Sequence, residues 1–263
     1  MSAYEDISYE LVNGAATITI NRPDVLNAFR VQTVEEMIHA FTKAGGDPEV
    51  GVIVLTGAGG RAFCTGGDQG SHAVSEDGGY GGRGAIGIPV EDLQSVIRDV
   101  PQPVIAKVRG YAIGGGNVLA TICDLTIASD TAVFGQVGPK VGSVDPGFGT
   151  AYLARVVGEK KAREMWYMCR RYSAQEALEM GLANCVVPEA DIDAVVRKWC
   201  DEIMAHSPTA MTIAKRSFNA DSENIRGIGA LGIQALGLYY QSEESREGVR
   251  AFNEKRKPNF RKG

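Results

Sequence analysis

One carboxylate stands in the glycine-rich run GQVGPKVGSVDPGFG, residues 135–149. Asp145 shares that run with five glycines, two prolines and one lysine. So open a stretch predicts neither a packed helix nor a central strand, because glycine raises the entropic cost of order and proline removes a backbone donor. The residues alone leave open what one acid does in so much flexible backbone. Two further glycine-rich bends follow apolar runs: AFCTGGDQ (62–69) and GYAIGGGN (110–117). Glycine at a strand exit lets backbone N–H groups point freely into a cleft. One donor from each bend can converge on a single oxygen and form an oxyanion hole, strengthened by a helix N-terminus. Taken singly, each bend reads more simply as a tight strand-to-helix turn.

Other chemistry is excluded by absence. The chain has no GxSxG, HExxH or GxxxxGK[ST] pattern, and no GxGxxG opening a helix after a strand. GAGGRAFCTGG (57–67) is similar to a phosphate loop but lacks the closing Lys-Ser/Thr. His39 falls on an amphipathic helix pattern and His206 precedes a helix start, so both read as surface or packing residues. His72, in a polar loop beside a glycine cluster, is the histidine best placed to touch a ligand. Cys64 has no base near it and reads as a buried thiol. The five cysteines are widely spaced with no CxxC pair, which argues against a disulfide framework or a structural metal and for reduced thiols in a cytoplasm. A net charge of -5 argues against nucleic acid as a partner. The acidic start MSAYEDISYE carries no apolar run, and no stretch approaches a membrane span, so neither a signal peptide nor a membrane partner is expected.

The elements that must position these residues follow from periodicity. In this 263-residue chain, 44% hydrophobic and 22% charged, a buried core is expected. Ala16, Ile18 and Ile20 alternate with Thr17 and Thr19 as a half-buried strand, and Pro23 ends it. Thr33 and Glu36 predict a capping box, and Val34, Met37, Ile38 and Phe41 the apolar stripe of a helix stopped by Gly45 and Gly46. GVIVLTG (51–57) and PVIAKVRG (103–110) read as fully buried parallel strands, joined by helical crossovers. A helix starts within GGGNVLATICD (114–124), followed by short strands in LTIAS and AVFGQV. From about residue 150 the chain turns helical. Ser173 and Glu176 form another capping box ended by Gly181; Ile192, Val195, Val196, Trp199 and Ile203 share a helical face; Ser207-Pro208 reads as N-cap and first turn. The apolar, glycine-spotted segment 227–240 predicts close packing on another helix, with a second subunit as one source of it.

Together the motifs resemble a known family. AFCTGGD and GYAIGGG are similar to the two oxyanion-hole loops of the crotonase (enoyl-CoA hydratase/isomerase) superfamily. NRPDVLNAF resembles its first CoA-contacting loop, and EGVRAFNEKRKPNF its C-terminal signature. The resemblance implies an α/β fold: a repeated ββα spiral core over residues 1–195, holding CoA and the active site, and a helical oligomerisation and CoA-capping region over 196–263. It implies N–H donors at Gly67 and Gly115 that bind a thioester oxygen. Coenzyme A is then part of the substrate, with no separate cofactor. A homotrimer or homohexamer is the family expectation. Hydratases of this family carry two glutamates at positions matching Val118 and Gly138, which here cannot transfer a proton. Simple hydration is therefore not expected, Asp145 is expected to serve another substrate position, and Gly138 is expected to leave space where hydratases place a carboxylate.

GGDQ, GQVGPKVGSVDPGFG, GEKKAREMWYMCRRY and LYYQSEE resemble one narrow branch. It contains 1,4-dihydroxy-2-naphthoyl-CoA synthase, which closes a ring, and 2-ketocyclohexanecarboxyl-CoA hydrolase, which opens one. Synthases usually show Phe before the acid and Gly or Ala after it, where this chain has Val144 and Pro146, and often His where it has Asn117. The likeness therefore favours the hydrolase, in a setting of aromatic or alicyclic acid breakdown. It implies Asp145 as the base, positioned by Ser143, with Tyr240 bonding the ketone. Val25, Leu26 and Ala28 would line the CoA path, and Phe252 and Lys255 would reach a neighbouring subunit's CoA. Tyr80 and Val144 would face the substrate, and Gln136 and Gly138 match residues that hold bicarbonate in some synthases. The synthase is the second reading, and an acyl-CoA-binding protein with an inactive site is the non-enzymatic one.

Overall fold

The computed structural model describes residues 4–74 and 79–261. The side chains of residues 72–74, His72 among them, lie outside the described residues. The chain opens with β1 (Ile7–Val12), β2 (Ala15–Ile20) and α1 (Val31–Gly46). It continues through β3 (Val52–Gly57), β4 (Ala62–Cys64), α2 (Gln69–Val74) and α3 (Val90–Asp99). Next come β5 (Val104–Val108), β6 (Tyr111–Ile113), α4 (Gly115–Ile122), β7 (Leu125–Ser129), β8 (Val133–Gly135) and α5 (Gly138–Val141). After a π-helical turn at Phe148–Tyr152 follow α6 (Leu153–Val157), α7 (Glu159–Met168), β9 (Arg171–Ser173), α8 (Ala174–Glu179) and β10 (Cys185–Val187). Four helices close the chain: α9 (Ile192–Met204), α10 (Pro208–Asp221), α11 (Asn224–Tyr240) and α12 (Glu243–Asn253).

Two sheets result. One has the order β1-β2-β3-β5-β7-β10 and the other β4-β6-β8-β9. β2, β3, β5, β7 and β10 run parallel, with β1 antiparallel at the edge. Each coil of the chain lays one strand in the first sheet, one in the second, and then a helix: β3-β4-α2, β5-β6-α4, β7-β8-α5. This is the ββα spiral, an α/β fold with a helical C-terminal region. Ile18 and Ile20 of β2 are fully buried while alternate residues are half-buried. β3 is buried along its length, as a strand between two parallel neighbours must be. Ile192, Val196 and Cys200 of α9 pack with Val52, Ile105 and Ile127 on the sheet's outer face, so this helix runs through the expected boundary at 195. Among the described residues no helix is long and apolar enough to cross a membrane.

Local details correct the sequence reading in three places. α1 starts earlier than the Thr33–Glu36 pair implied, with Arg30 as N-cap and its N–H donating to Thr33 Oγ1 at 3.1 Å. Glu36 instead accepts from the backbone N–H groups of Glu5 and Asp6, each at 2.8 Å, tying the N-terminus to the helix. The run 135–149 is not wholly irregular: Pro139 preorganises the single turn of α5, and Gly142, at φ +71°, ends it in the left-handed region. The Ser173–Glu176 box and the Ser207 cap form as predicted.

The third concerns α11, where loop contacts within the chain were not foreseen: Gly229, Gly232 and Gly237 pack against loops, while Leu231 and Leu238 of the same helix stay exposed. Gly229 meets Gly147, Gly232 meets the ring of Pro146, and Gly237 approaches Ala85 O. The loop carrying Asp145 therefore rests directly on α11. In a helix interior Gly→Ala ordinarily stabilises by about 0.5–1 kcal/mol. At Gly232 the rigid Pro146 ring occupies the methyl position, so Gly232→Ala is expected to destabilise by about 1–3 kcal/mol. Urea unfolding reads the sign directly.

Candidate active site

A cavity of about 1050 Å³ opens where the two glycine bends meet. The first bend is set by a parallel bridge between Phe29 and Gly67. Phe29 N–H donates to Gly66 O at 2.8 Å, and Asp68 N–H to Phe29 O at 2.9 Å. In that pattern the Gly67 N–H is turned away from Phe29. The second bend opens α4, so Gly115 is among the first-turn residues whose N–H has no partner inside the helix. The bends touch. A Cβ built on Gly66, whose φ is +87°, would lie 2.9 Å from Gly115 N, and one on Gly115 would lie 3.2 Å from Gly66 Cα and 2.7 Å from the Phe29 ring. Gly67 and Gly115 thus both line the cavity.

The loop before the first bend is anchored by two residues that sequence reading passed over. Asn27, fully buried, donates from Nδ2 to Ala58 O and Ala62 O at 2.9 and 2.7 Å. Arg22 bridges Ala28 O and Asp68 Oδ2, the latter at 3.0 Å. Val25, Leu26 and Ala28 form one rim of the cavity. Phe252, at the end of α12, lines the same chain's cavity, whereas Lys255 stands outside it in a left-handed conformation, φ +54°. The lining basic residues at that end are Arg256 and Lys257; Arg256 is paired with Glu247 and holds that carboxyl down at about 2.

Asp145 reaches the cavity from its loop, half-buried and closely surrounded by protein. Its Oδ2 accepts from Gln94 Nε2 and its Oδ1 from Gly149 N–H, both at 3.0 Å. Burial pushes this carboxyl up to about 6 against the pull of the two hydrogen bonds, and the negative charge of Glu91 adds to the rise. Ser143 does not hold Asp145 as expected: its Oγ lies 2.8 Å from Tyr240 Oη. Burial pushes the Tyr240 phenol up to about 12, so it remains a proton donor at neutral pH. The supports missed by sequence reading are therefore Gln94 and the Gly149 amide. A signal for Gln94 existed. Val90, Leu93, Gln94 and Ile97 form one i, i+3, i+4, i+7 stripe, and a lone amide in it asks for a buried partner.

Tyr240 is buried behind Ser143 and is not among the residues that line the cavity, whereas Tyr80, Val144, Gln136 and Gly138 are. Tyr80 presses its hydroxyl against Gly67 so closely that no side chain fits there. Burial raises the Tyr80 phenol well above its usual range. Val144 is 36% exposed at the mouth. Gln136 is 1% exposed, and neither its Nε2 nor its Oε1 has a hydrogen-bond partner among the described residues. Gly138 corrects an expectation. Its side-chain position is filled, not open: a Cβ would lie 2.5 Å from Ser143 O and 2.9 Å from the Trp166 ring. Val118 is buried and apolar. Neither residue supplies a carboxylate to the cavity. Among the described residues no cluster of His, Cys, Asp and Glu is placed to hold a metal.

The Asp145 carboxyl has a consequence for stability. Its folded pKa lies above the ordinary 3.8, so its contribution is full below about pH 4 and is lost as pH rises through 6. Wild-type protein is expected to lose about 3 kcal/mol between pH 4 and 7 from this group. Asp145→Asn should not show that loss in urea titrations at each pH.

The enoyl-CoA hydratase/isomerase family model matches residues 10–263. A solved enoyl-CoA hydratase from Mycobacterium avium subsp. paratuberculosis K-10 is 30% identical, with 97% of this chain and 98% of that one covered at a TM-score of 0.85. Pseudomonas aeruginosa OdaA is 28% identical over 94% of this chain and 98% of its own, also at 0.85. An enoyl-CoA hydratase/carnitine racemase from Magnetospirillum magneticum is 29% identical over 97% and 95%, at 0.77. The chain belongs to the enoyl-CoA hydratase/isomerase, or crotonase, family. It is a hydratase/isomerase-like enzyme of that family.

Proposed function

We propose that this enzyme opens the ring of a cyclic β-keto acyl-CoA by hydrolysis, converting 2-ketocyclohexanecarboxyl-CoA to pimeloyl-CoA. One observation carries the reading. The acid supported in the cavity is Asp145, poised at about 6, while the positions that would serve hydration are an apolar Val118 and an occupied Gly138. A base near neutrality suits water activation. The thioester oxygen sits on the N–H groups of Gly67 and Gly115. Asp145 takes a proton from water as the water oxygen bonds to the ring ketone carbon. The tetrahedral alkoxide is met by the Tyr240 phenol, which Ser143 orients. Collapse breaks the bond between ketone carbon and α-carbon. The electron pair goes to the α-carbon as a thioester enolate, whose oxygen the two amides hold. Protonated Asp145 returns its proton to the α-carbon, and the former ketone carbon, now a carboxylic acid at the far end of the opened chain, loses its proton to solvent. Val25, Leu26, Ala28 and Phe252 would flank the CoA arm, and Lys255 would act only across a subunit boundary, in a trimer or hexamer working in the cytoplasm.

A second reading has its own support. Gln136 offers an unpartnered donor and acceptor beside Gly138, the pair that a small oxyanion such as bicarbonate would use. That arrangement suits 1,4-dihydroxy-2-naphthoyl-CoA synthase. Incubation with each thioester separates the two. Pimeloyl-CoA formed from 2-ketocyclohexanecarboxyl-CoA supports the hydrolase; consumption of o-succinylbenzoyl-CoA alone supports the synthase. Binding of both without turnover leaves only an acyl-CoA-binding protein.

A further inference from the structure

We propose that Gln94 is a positioning residue that aims the Asp145 carboxylate into the cavity. The inference rests on the reading of Asp145 as the acid/base, but its structural part does not depend on which thioester is consumed.

The geometry is specific. Gln94 is 6% exposed and spends its Nε2 on Asp145 Oδ2, across a sequence separation of 51 residues. The Gly149 N–H takes the other oxygen. Each carboxylate oxygen thus accepts one bond from the protein and keeps one lone-pair direction for water. Rotation of the carboxylate about its Cβ–Cγ bond would break both contacts. An apolar residue at 94 would continue the stripe of Val90, Leu93 and Ile97 equally well, so the amide is not needed for packing.

The choice of an amide also matters. A guanidinium or ammonium in its place would hold the carboxylate ionised far below neutrality. A neutral donor orients it without that cost to basicity. The groups facing Asp145 are Glu91 and Gln94 from α3, Gly149 N–H from its own loop, and the Tyr240 phenol from α11. Among the described residues no basic side chain forms an ion pair with it.

α3 is held firmly enough to serve as a mount. Its terminal carbonyls, otherwise unpaired, accept from α10: Ile97 O from Lys215 Nζ at 3.3 Å, Arg98 O from Asn219 Nδ2 at 2.7 Å, and Asp99 O from Arg216 at 2.8 Å. Arg226 of α11 pairs with Asp99. The C-terminal helices thereby fix α3, and α3 fixes the acid.

The test reads the carboxyl directly. Protein labelled with ¹³C at the aspartate carboxyl carbon is titrated by NMR, and the Asp145 signal is assigned by its loss in Asp145→Asn. The wild-type midpoint is expected near 6. Gln94→Leu should raise it by about one pH unit, and Glu91→Gln should lower it by about half a unit. The acid limb of kcat/KM should move in step, and Gln94→Leu should lose about tenfold or more in kcat with little change in KM. A merely structural Gln94 would alter stability and leave both midpoints in place, and that result overturns the proposal. If Gln94→Leu does not fold, Gln94→Glu serves: a second acid 3.0 Å from Asp145 must raise the midpoint by more than a unit, and an unmoved one sinks the idea. If the carboxyl shifts as expected but no cyclic β-keto thioester is consumed, the proposed reaction fails and the positioning role stands.

Discussion

Asp145→Asn is expected to bind acyl-CoA and fail to turn it over. The amide is isosteric, so the cavity rim of Val25, Leu26 and Ala28, where the CoA arm is proposed to lie, is unaffected. What is lost is the ability to take a proton from water and return it to carbon. General acid/base catalysis of this kind contributes roughly 10²–10⁴-fold, and kcat should fall by at least that factor, since the same group acts twice. Isothermal titration with a nonhydrolysable CoA thioether should give a Kd within a few-fold of wild type. The pH profile offers a second reading. In wild type the free-enzyme acid limb of kcat/KM should fall below about pH 6, where Asp145 becomes protonated. Residual activity in the variant should lose that limb. An Asp145→Asn enzyme that retains turnover with an unchanged limb would remove Asp145 from the mechanism and leave the base unassigned. The stability experiment closes the argument, because the same burial that poises the acid destabilises the fold at neutral pH. A variant both slower and less pH-sensitive in stability is what a strained functional group predicts.

Much of this was legible in the amino-acid sequence, and the limits have physical causes. Buried strands announced themselves by continuous apolar runs such as GVIVLTG, because a parallel strand between two neighbours has no solvent face. The two glycine bends and the lone acid stood out in the sequence, but singly each bend read as a plain turn, and only the family resemblance gave them a shared role. Helix starts were less reliable. Thr33 and Glu36 had the spacing of a capping box, but Glu36 is drawn to the backbone of Glu5 and Asp6, a partner far away in sequence. The same kind of nonlocal pairing hid the support of Asp145. Ser143, two residues away, was the local candidate; the observed partner is Gln94 on another helix. Spacing encodes what is near along the chain, and the residues that aim a catalytic group come from elements that only folding brings together. Gly138 shows the converse error. Its lack of a side chain suggested room, whereas Ser143 and Trp166 already fill the place a side chain would take.

Gly66→Ala is the second change expected to have a large effect, and it acts without touching any titratable group. Gly66 sits at φ +87°, a conformation that costs an L-residue about 1–2 kcal/mol. The added methyl would also lie 2.9 Å from Gly115 N, on the backbone of the opposite bend. Neither neighbour is a flexible side-chain end, so the bends must part. Separation by a few tenths of an ångström matters if the two amides share one oxygen as proposed, because an oxyanion-hole donor contributes only at hydrogen-bond distance. Losing one such donor typically costs about 2.7–4 kcal/mol, or 10²–10³ in rate. The expected result is a folded protein, destabilised by about 1–2 kcal/mol in urea, with kcat/KM down at least a hundredfold. Its Asp145 titration should still lie near 6, since the added methyl meets Gly115 and Ile113 and neither Gln94 nor Gly149. That combination, an intact acid with a crippled enolate site, separates the two halves of the mechanism. Near-normal turnover in Gly66→Ala would mean that the amides of the two bends do not share the thioester oxygen, and charge in the transition state would have to be held elsewhere in the cavity.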